Sequence, residues 1–363
     1  MLILQSVIYA IGALAIILTV LPFLKFGMWW IRIGDFPRLQ IAFFCLAAAL
    51  TACLFYPLSV YEKIFILSLL VCAAYQLFCV LPYLPVYPKQ VEKNLAPIAE
   101  NTIRLLIFNV FIESREFAKF LKLVEQIKPD LILLAEPDEH WTREISALET
   151  KYPFTVLHPL ANAYGMALYS RLELINPKLN FFIEDDIPSI ITGVKLASGE
   201  SINLYCLHPR PPVPTESVRS NERDAELLLV GRMINKSDAP TIVAGDLNDV
   251  AWSRTTSLFQ KSSGLLDPRI GRGLYSSFHA DYPVIRFPLD HVFHSNHFRL
   301  AELRRLPNIG SDHFPIYIAL TYEKTAELTQ EEPVATDEEH EEAVETIVET
   351  LEMLESEKVI TDR

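Results

Sequence analysis

The sequence predicts an α/β domain built on mixed β-sheets and preceded by an all-α membrane region of three helices. Three observations carry this reading. Uncharged apolar runs crowd the first 88 residues, short apolar runs alternate with amphipathic stretches from residue 101, and several later runs follow one another with no helix between them.

Met1 to Leu24, Leu39 to Tyr61 and Ile64 to Pro88 carry no charged side chain. A hydrocarbon core of ~30 Å takes about 20 helical residues, so spans at about 1–24, 39–61 and 64–84 are expected, with residues 1–88 as the transmembrane region. The first run lacks a basic leader and a small-residue cleavage site, which favours a retained anchor over a signal peptide. Lys25, Arg32 and Arg38 fall between the first two spans, Lys63 between the second and third, and Lys89 and Lys93 after the third. Basic residues are retained on the cytoplasmic side, so the expected topology places the N-terminus outside and the catalytic domain in the cytoplasm, on the cell (inner) membrane. Trp29, Trp30 and Tyr83 fit interfacial anchors.

Pro82, Pro85, Pro88 and Pro97 interrupt any helix through the following stretch, and residues 89–100 read as a linker. The globular domain is expected over 101–322. Ile103 to Val110 and Leu131 to Ala135 read as buried strands around a helix, Glu116 to Ile127. A helix over Glu139 to Glu149 follows, then strands at Gly165 to Ser170, Ile190 to Leu196 and Ile202 to Leu207. A long helix over Ser217 to Asn235, a strand at Thr241 to Ala244, a short helix from Trp252 to Gln260 and late strands at Leu289 to Phe293 and Pro315 to Leu320 complete the pattern.

The formal charge of −13 is not spread evenly. Glu323 to Arg363 holds 15 acidic and 3 basic residues, net −12, leaving −1 for the rest. A near-neutral body lacks the electrostatic footprint of tight, non-specific nucleic-acid binding. The acidic tail, 323–363, reads as solvated chain. Val344, Ile347, Val348, Leu351 and Leu354 recur there at helical spacing, which also fits an amphipathic helix that binds a protein partner or itself. Cys206 is the single cysteine outside the expected spans, so the domain needs no oxidising compartment.

Chemistry is expected where polar residues end apolar strands, because a buried scaffold there presents rigid side chains to a cleft. Five such places stand out: Asn109, Glu136, His208, Gly245-Asp246-Leu247-Asn248 and Ser311-Asp312-His313. A hard cation such as Mg²⁺ takes oxygen ligands, and Glu136 and Asp312 supply carboxylates with the Asn109 amide beside them. Such an ion neutralises phosphoryl charge and orients a water. Histidines suit proton transfer near neutral pH. Asp290 is expected to orient His313, with His208 facing the phosphate from the other side. Taken singly, each signal has a plainer explanation: a β-turn at Gly245 to Asn248, a helix-start acid at Glu136, a loop cap at Asp312, a proline-stiffened loop after His208.

Taken in order, these residues resemble the endonuclease/exonuclease/phosphatase superfamily, which includes deoxyribonuclease I, abasic-site endonucleases, neutral sphingomyelinases and inositol-polyphosphate phosphatases. The strand-end Asn109, the metal-binding Glu136, the strand-end His208, Asp246 and Asn248 of Gly-Asp-x-Asn, Asp290 before a hydrophobic strand and the closing Ser311, Asp312 and His313 match its motifs over about 101–322. Leu168-Tyr169-Ser170-Arg171 also resembles a strand of that family. The resemblance implies a four-layer α/β sandwich, Mg²⁺ or Mn²⁺, and in-line attack of water on phosphorus, with His313 and Asp246 as competing bases and Asn248 positioning water or phosphate. Around Asp290 the sequence is Arg286-Phe287-Pro288-Leu289-Asp290, unlike the inositol phosphatases' Trp-Cys-Asp-Arg. The expected function is hydrolysis of a phosphodiester in nucleic acid or a phospholipid headgroup. A phosphomonoesterase and a non-catalytic membrane scaffold with the same fold are the alternatives.

Overall fold

The computed structural model describes every residue except Met1, Leu58, Thr215, Asp362 and Arg363. The start of the first expected span, one position within the second and the last two residues of the tail therefore lie outside the described residues. Nine α-helices are described: α1 Leu2–Val20, α2 Trp29–Arg32, α3 Arg38–Phe55, α4 Val60–Val80, α5 Phe117–Ile127, α6 Glu139–Glu144, α7 Asn221–Ile234, α8 Arg254–Ser263 and α9 Asp337–Thr361. The eleven strands are β1 Thr102–Asn109, β2 Leu131–Ala135, β3 Phe154–His158, β4 Met166–Ser170, β5 Leu174–Asn180, β6 Ser189–Lys195, β7 Ser201–Cys206, β8 Thr241–Asp246, β9 Asp290–His294, β10 Phe298–Arg305 and β11 Ile316–Tyr322.

Two mixed sheets form, one ordered β10-β11-β1-β2-β4-β3 and the other β5-β6-β7-β8-β9. Each contains a single parallel pair, β1 with β2 and β7 with β8, and antiparallel neighbours on either side. The apolar runs of these central strands are continuous rather than alternating because both faces are covered. In β1, Ile103, Leu105 and Ile107 enter the core between the sheets, whereas Leu106 and Phe108 pack outward with Phe120, Leu123 and Trp141 of α5 and α6. In the second sheet Leu204 and Cys206 face inward and Tyr205 packs outward with Leu227, Val230 and Phe259 of α7 and α8. The result is helix, sheet, sheet, helix: the four-layer sandwich.

Three strands were not expected from the sequence: β3, β5 and β10. All are edge strands of the two sheets. Edges are kept irregular and polar against unwanted pairing. Pro177 and a register shift interrupt β5, and four charged residues occupy the eight positions of β10. The helix expected from Ser217 begins only at Asn221. The preceding residues pair instead with the segment after α1, through Trp29 N–H to the Val218 carbonyl (3.0 Å) and Ser220 N–H to the Gly27 carbonyl (2.6 Å). The acidic segment is helical from Asp337, and Ala343 and Ile347 of α9 pack on Leu228 of α7 and Leu258 of α8.

α1, α3 and α4 are long and apolar enough to cross a membrane. Small side chains line their shared interface, among them Ala15, Cys45, Ala48, Ala49, Ala52 and Ala73, which lets the backbones approach closely. Phe43, Leu50, Leu54, Leu67, Val71 and Phe78 point outward and are exposed. A buried polar chain links the bundle to the domain. Thr19 Oγ1 accepts from Gln76 Nε2 (3.0 Å), Gln76 Oε1 from Arg38 Nη1 (2.9 Å) and Asp35 Oδ1 from Arg38 Nη2 (2.5 Å), while the Asp35 carbonyl accepts from Trp252 Nε1 (2.7 Å). The segment from Lys25 to Pro37 and the end of α4 therefore lie on the side that carries the α/β domain.

Candidate active site

Parallel pairing puts the C-terminal ends of β1, β2, β7 and β8 at one edge of the sandwich, and antiparallel pairing brings the starts of β9 and β11 to the same edge. Asn109 ends β1, Glu136 follows β2, His208 follows β7 by two residues and Asp246 ends β8. Asp246 stands opposite Asp290 in the β8–β9 register, and His313 precedes β11. Gly245 makes the approach possible: it sits at φ +148°, and a Cβ there would lie 1.9 Å from the Leu207 carbonyl oxygen.

Asn109 joins the two halves. Its Nδ2 donates to Glu136 Oε1 (2.7 Å) and to Asp246 Oδ2 (3.0 Å), and its Oδ1 accepts from the Phe111 N–H (3.0 Å). Glu136 Oε2 accepts from the Ile112 N–H (3.2 Å), with the Glu136 backbone in the left-handed region at φ +63°. Asp246 Oδ1 accepts from the Asn248 N–H (3.0 Å), and Asn248 Nδ2 is turned to the Pro209 carbonyl (2.9 Å). His313 Nδ1 bonds Asp290 Oδ2 (2.7 Å), while its Nε2 lies 3.5 Å from Asp246 Oδ2 and His208 Nε2 lies 4.0 Å from the same oxygen. Asp312 lines the same cleft of about 360 Å³, its Oδ1 accepting from Ser311 Oγ (3.2 Å). Seven of the eight residues expected from the sequence line this one cleft, and the eighth, Asp290, lies behind His313.

The charges are tightly interdependent. Burial pushes the His313 imidazole down, but Asp290, then Asp246, outweigh it and hold it up at about 10. Burial also raises Asp246, yet His313 and His208 more than offset it and keep this carboxyl below the usual range. Glu136 goes the other way: burial raises it and the neighbouring imidazoles and donors compensate only in part. Asp246, Asp290 and His313 offer ligand atoms within 4.8 Å of one another, and Asp290 Oδ1 and His208 Nδ1 are buried without a hydrogen-bond partner. Asp290 Oδ2 and His313 Nδ1 already satisfy each other, so we read that pair as an orienting contact and the free carboxylate oxygens as the places for a cation. The unsatisfied Asp290 Oδ1, with the carboxylates of Glu136 and Asp312 in the same cleft, forms a hard-oxygen donor set that suits a divalent ion such as Mg²⁺ or Mn²⁺.

Sequence reasoning did not find the cleft's walls. Phe36, Phe111, Tyr164, Val213, Phe278 and Leu289 line it. Tyr164 donates to Glu216 (2.7 Å) beneath the Arg210 guanidinium, 4.8 Å from its ring. Tyr164 immediately precedes the strand noted at 165–170, which was its only signal. Phe36 has no local signal, being an aromatic residue between two long apolar helices.

Comparison with known proteins agrees with this geometry. The family model described as "Endonuclease/Exonuclease/phosphatase family" matches residues 106–313. Among solved structures, zebrafish (D. rerio) TDP2 complexed with a single-strand DNA product superposes with a TM-score of 0.51 at 17% identity, covering 61% of this chain and 99% of that one. The human Nocturnin catalytic domain with bound sulfate gives 0.50 at 16% identity, covering 63% and 97%. At such identities the likeness establishes the fold. A search of curated proteins finds no match.

Proposed function

We propose, from the premise that this chain belongs to the endonuclease/exonuclease/phosphatase family, that it is a membrane-anchored, divalent-metal-dependent hydrolase of phosphodiesters. Members of that family are generally hydrolases of phosphoester bonds. The observation that carries the reading is the single cleft in which Asp246 touches both imidazoles while Asp290 holds His313 from behind.

Glu136 and Asp312, with the oxygens of Asp246 and Asp290 nearby, would hold the cation, and Asn109 fixes the spacing of Glu136 and Asp246. A bound Mg²⁺ or Mn²⁺ supplies charge neutralisation on the phosphoryl oxygens. His313, kept cationic between two carboxylates, and His208 bind the phosphate from the two sides of Asp246. Asp246, ionised at neutral pH, takes a proton from the attacking water. The water oxygen forms a bond to phosphorus, the ester P–O bond opposite breaks, and the departing alkoxide is protonated from solvent. The products are a phosphomonoester and an alcohol.

The membrane side follows from charge. Lys25, Arg32 and Arg38 lie on the side that carries the domain, which favours the cytoplasmic face of the cell membrane. A C-terminal reporter active only outside the cytoplasm would reverse that assignment. The catalytic reading is tested with the full chain in detergent micelles and bis(4-nitrophenyl) phosphate. Hydrolysis is expected with Mg²⁺ or Mn²⁺, abolished by EDTA and restored by the metal. A cleft that never turns over any phosphodiester under these conditions is not an enzyme's.

A further inference from the structure

Both walls of the cleft are fastened to the membrane segment. On one side, Pro211, Pro212 and Val213 line the cleft, and Val218 and Ser220 bond back to Trp29 and Gly27 of the stretch between α1 and α3. On the other, a hairpin spans residues 278–287, closed by Phe278 N–H to the Phe287 carbonyl (3.0 Å) and His279 N–H to the Ile285 carbonyl (3.2 Å). Its base belongs to the catalytic region: the Ala280 N–H donates to the Asp312 carbonyl (2.6 Å), and the Phe278 ring lies 5.0 Å from His313. Its tip belongs to the membrane region. Gln40 Nε2, in the first turn of α3, donates to the Val284 carbonyl (2.7 Å), so the tip lies level with the start of a membrane-crossing helix. Tyr282, Val284 and Ile285 at that tip are 56%, 71% and 52% exposed. Between the walls, Phe36 lies two residues before α3, lines the cleft and meets Phe287 edge-on at 5.6 Å.

An apolar tip held at the level of a span entrance faces the interfacial zone of the bilayer, where aromatic and aliphatic side chains are accommodated. The route from there to His313 runs along Phe36 and Phe278. Among the described residues no Lys or Arg lines the cleft, so it offers a soluble polyanion no basic track. A substrate with a phosphate at one end and hydrocarbon at the other fits both parts of the cleft. We propose that the substrate is a phosphodiester lipid drawn from the bilayer in which the chain is anchored, with the 278–287 hairpin seated in the membrane surface as the entry wall. This rests on the phosphodiesterase reading and narrows it to one substrate class. The reaction keeps the balance given above, with water added across one ester P–O bond of the lipid.

The test uses the full chain reconstituted in vesicles of phosphatidylethanolamine and phosphatidylglycerol with Mg²⁺. Three substrates are followed: the vesicle lipids themselves by ³¹P spectroscopy, soluble bis(4-nitrophenyl) phosphate, and a single-stranded oligonucleotide. The wild type is expected to release phosphomonoester from the vesicle lipids. The double variant Val284→Asp/Ile285→Asp, at exposed positions outside the cleft, is expected to lower that rate by about tenfold or more while soluble diester hydrolysis is unchanged, since carboxylates at the tip would hold the hairpin out of the apolar part of the interface. Intact lipids alongside cleaved soluble diester overturn the lipid proposal and leave the phosphodiesterase reading standing. So does an oligonucleotide cut faster than lipid, or an equal drop in both activities of the variant. Failure to cut any of the three overturns the phosphodiesterase reading and this proposal with it.

Discussion

Asp290 and His291 are neighbours on β9, and each forms part of a buried histidine pair, but the pairs face opposite sides of the sheet and behave oppositely. On the cleft side, His313 is held between Asp290 and Asp246, which keep it charged. On the other side, His291 Nδ1 accepts from Arg269 Nη2 (2.7 Å) and its Nε2–H donates to the Asp249 carbonyl (2.8 Å). Burial and then the Arg269 cation push His291 well below its ordinary value, so it stays neutral in a single tautomer. Arg269 is in turn closed by a bidentate contact to Asp267 (3.0 and 2.7 Å). One network is complete, whereas the other leaves Asp290 Oδ1 and His208 Nδ1 unpaired at a cleft. The sign of the partner decides the charge of a buried imidazole, and unfinished hydrogen bonding separates a site from a structural clamp.

The largest effect should come from breaking the unfinished side. Asp246→Asn preserves shape but removes the proton acceptor, and kcat should fall by about 10²–10⁴ in protein that still unfolds cooperatively. A variant within threefold of wild type would remove Asp246 from the chemistry. Breaking the finished side should act on stability instead. Arg269→Met strands the buried Asp267 carboxylate and should cost about 3–5 kcal/mol in denaturant unfolding.

A pH series sharpens the contrast. His313 is raised in the folded protein, so its stabilisation is full below an unfolded value of about 6.5 and is lost as pH rises towards about 10. Metal-free protein should therefore lose melting temperature over that window, and His313→Gln should flatten the decline. Glu226 supplies a smaller third case. Among the described residues no cation pairs with it; Ser189 Oγ donates to it (2.6 Å), while burial, helped by the Glu184 carboxylate, raises it to about 7. Its proton is favoured in the folded state, so stability falls as pH rises from the ordinary carboxylate range through 7. Glu226→Gln should stabilise the protein by about 1–3 kcal/mol at pH 8 and hardly at pH 4, as read by unfolding at both. Equal effects at the two values would show that Glu226 ionises freely.

The sequence by itself determined the elements whose residues face one environment along their whole length. β1, β2, β7 and β8 are apolar on both faces, and α1, α3 and α4 are apolar all round, so each announces itself locally. It also supplied Asn109, Glu136, His208, Asp246, Asn248, Asp290, Asp312 and His313, because polar residues at the ends of apolar strands break a strong pattern. What the tertiary structure decided was everything that depends on a partner distant in the chain. The edge strands β3, β5 and β10 take their conformation from a single neighbour, and α9 takes its seat from α7 and α8. His313 and His291 are the same residue type in buried surroundings, and Asp290 with Asp246 on one side and Arg269 on the other, brought in from other strands and loops, set one charged and the other neutral. Phe36 reached the cleft the same way: its position is fixed by the Asp35–Trp252 contact and by Phe287, more than two hundred residues away, and no local pattern encodes such a meeting.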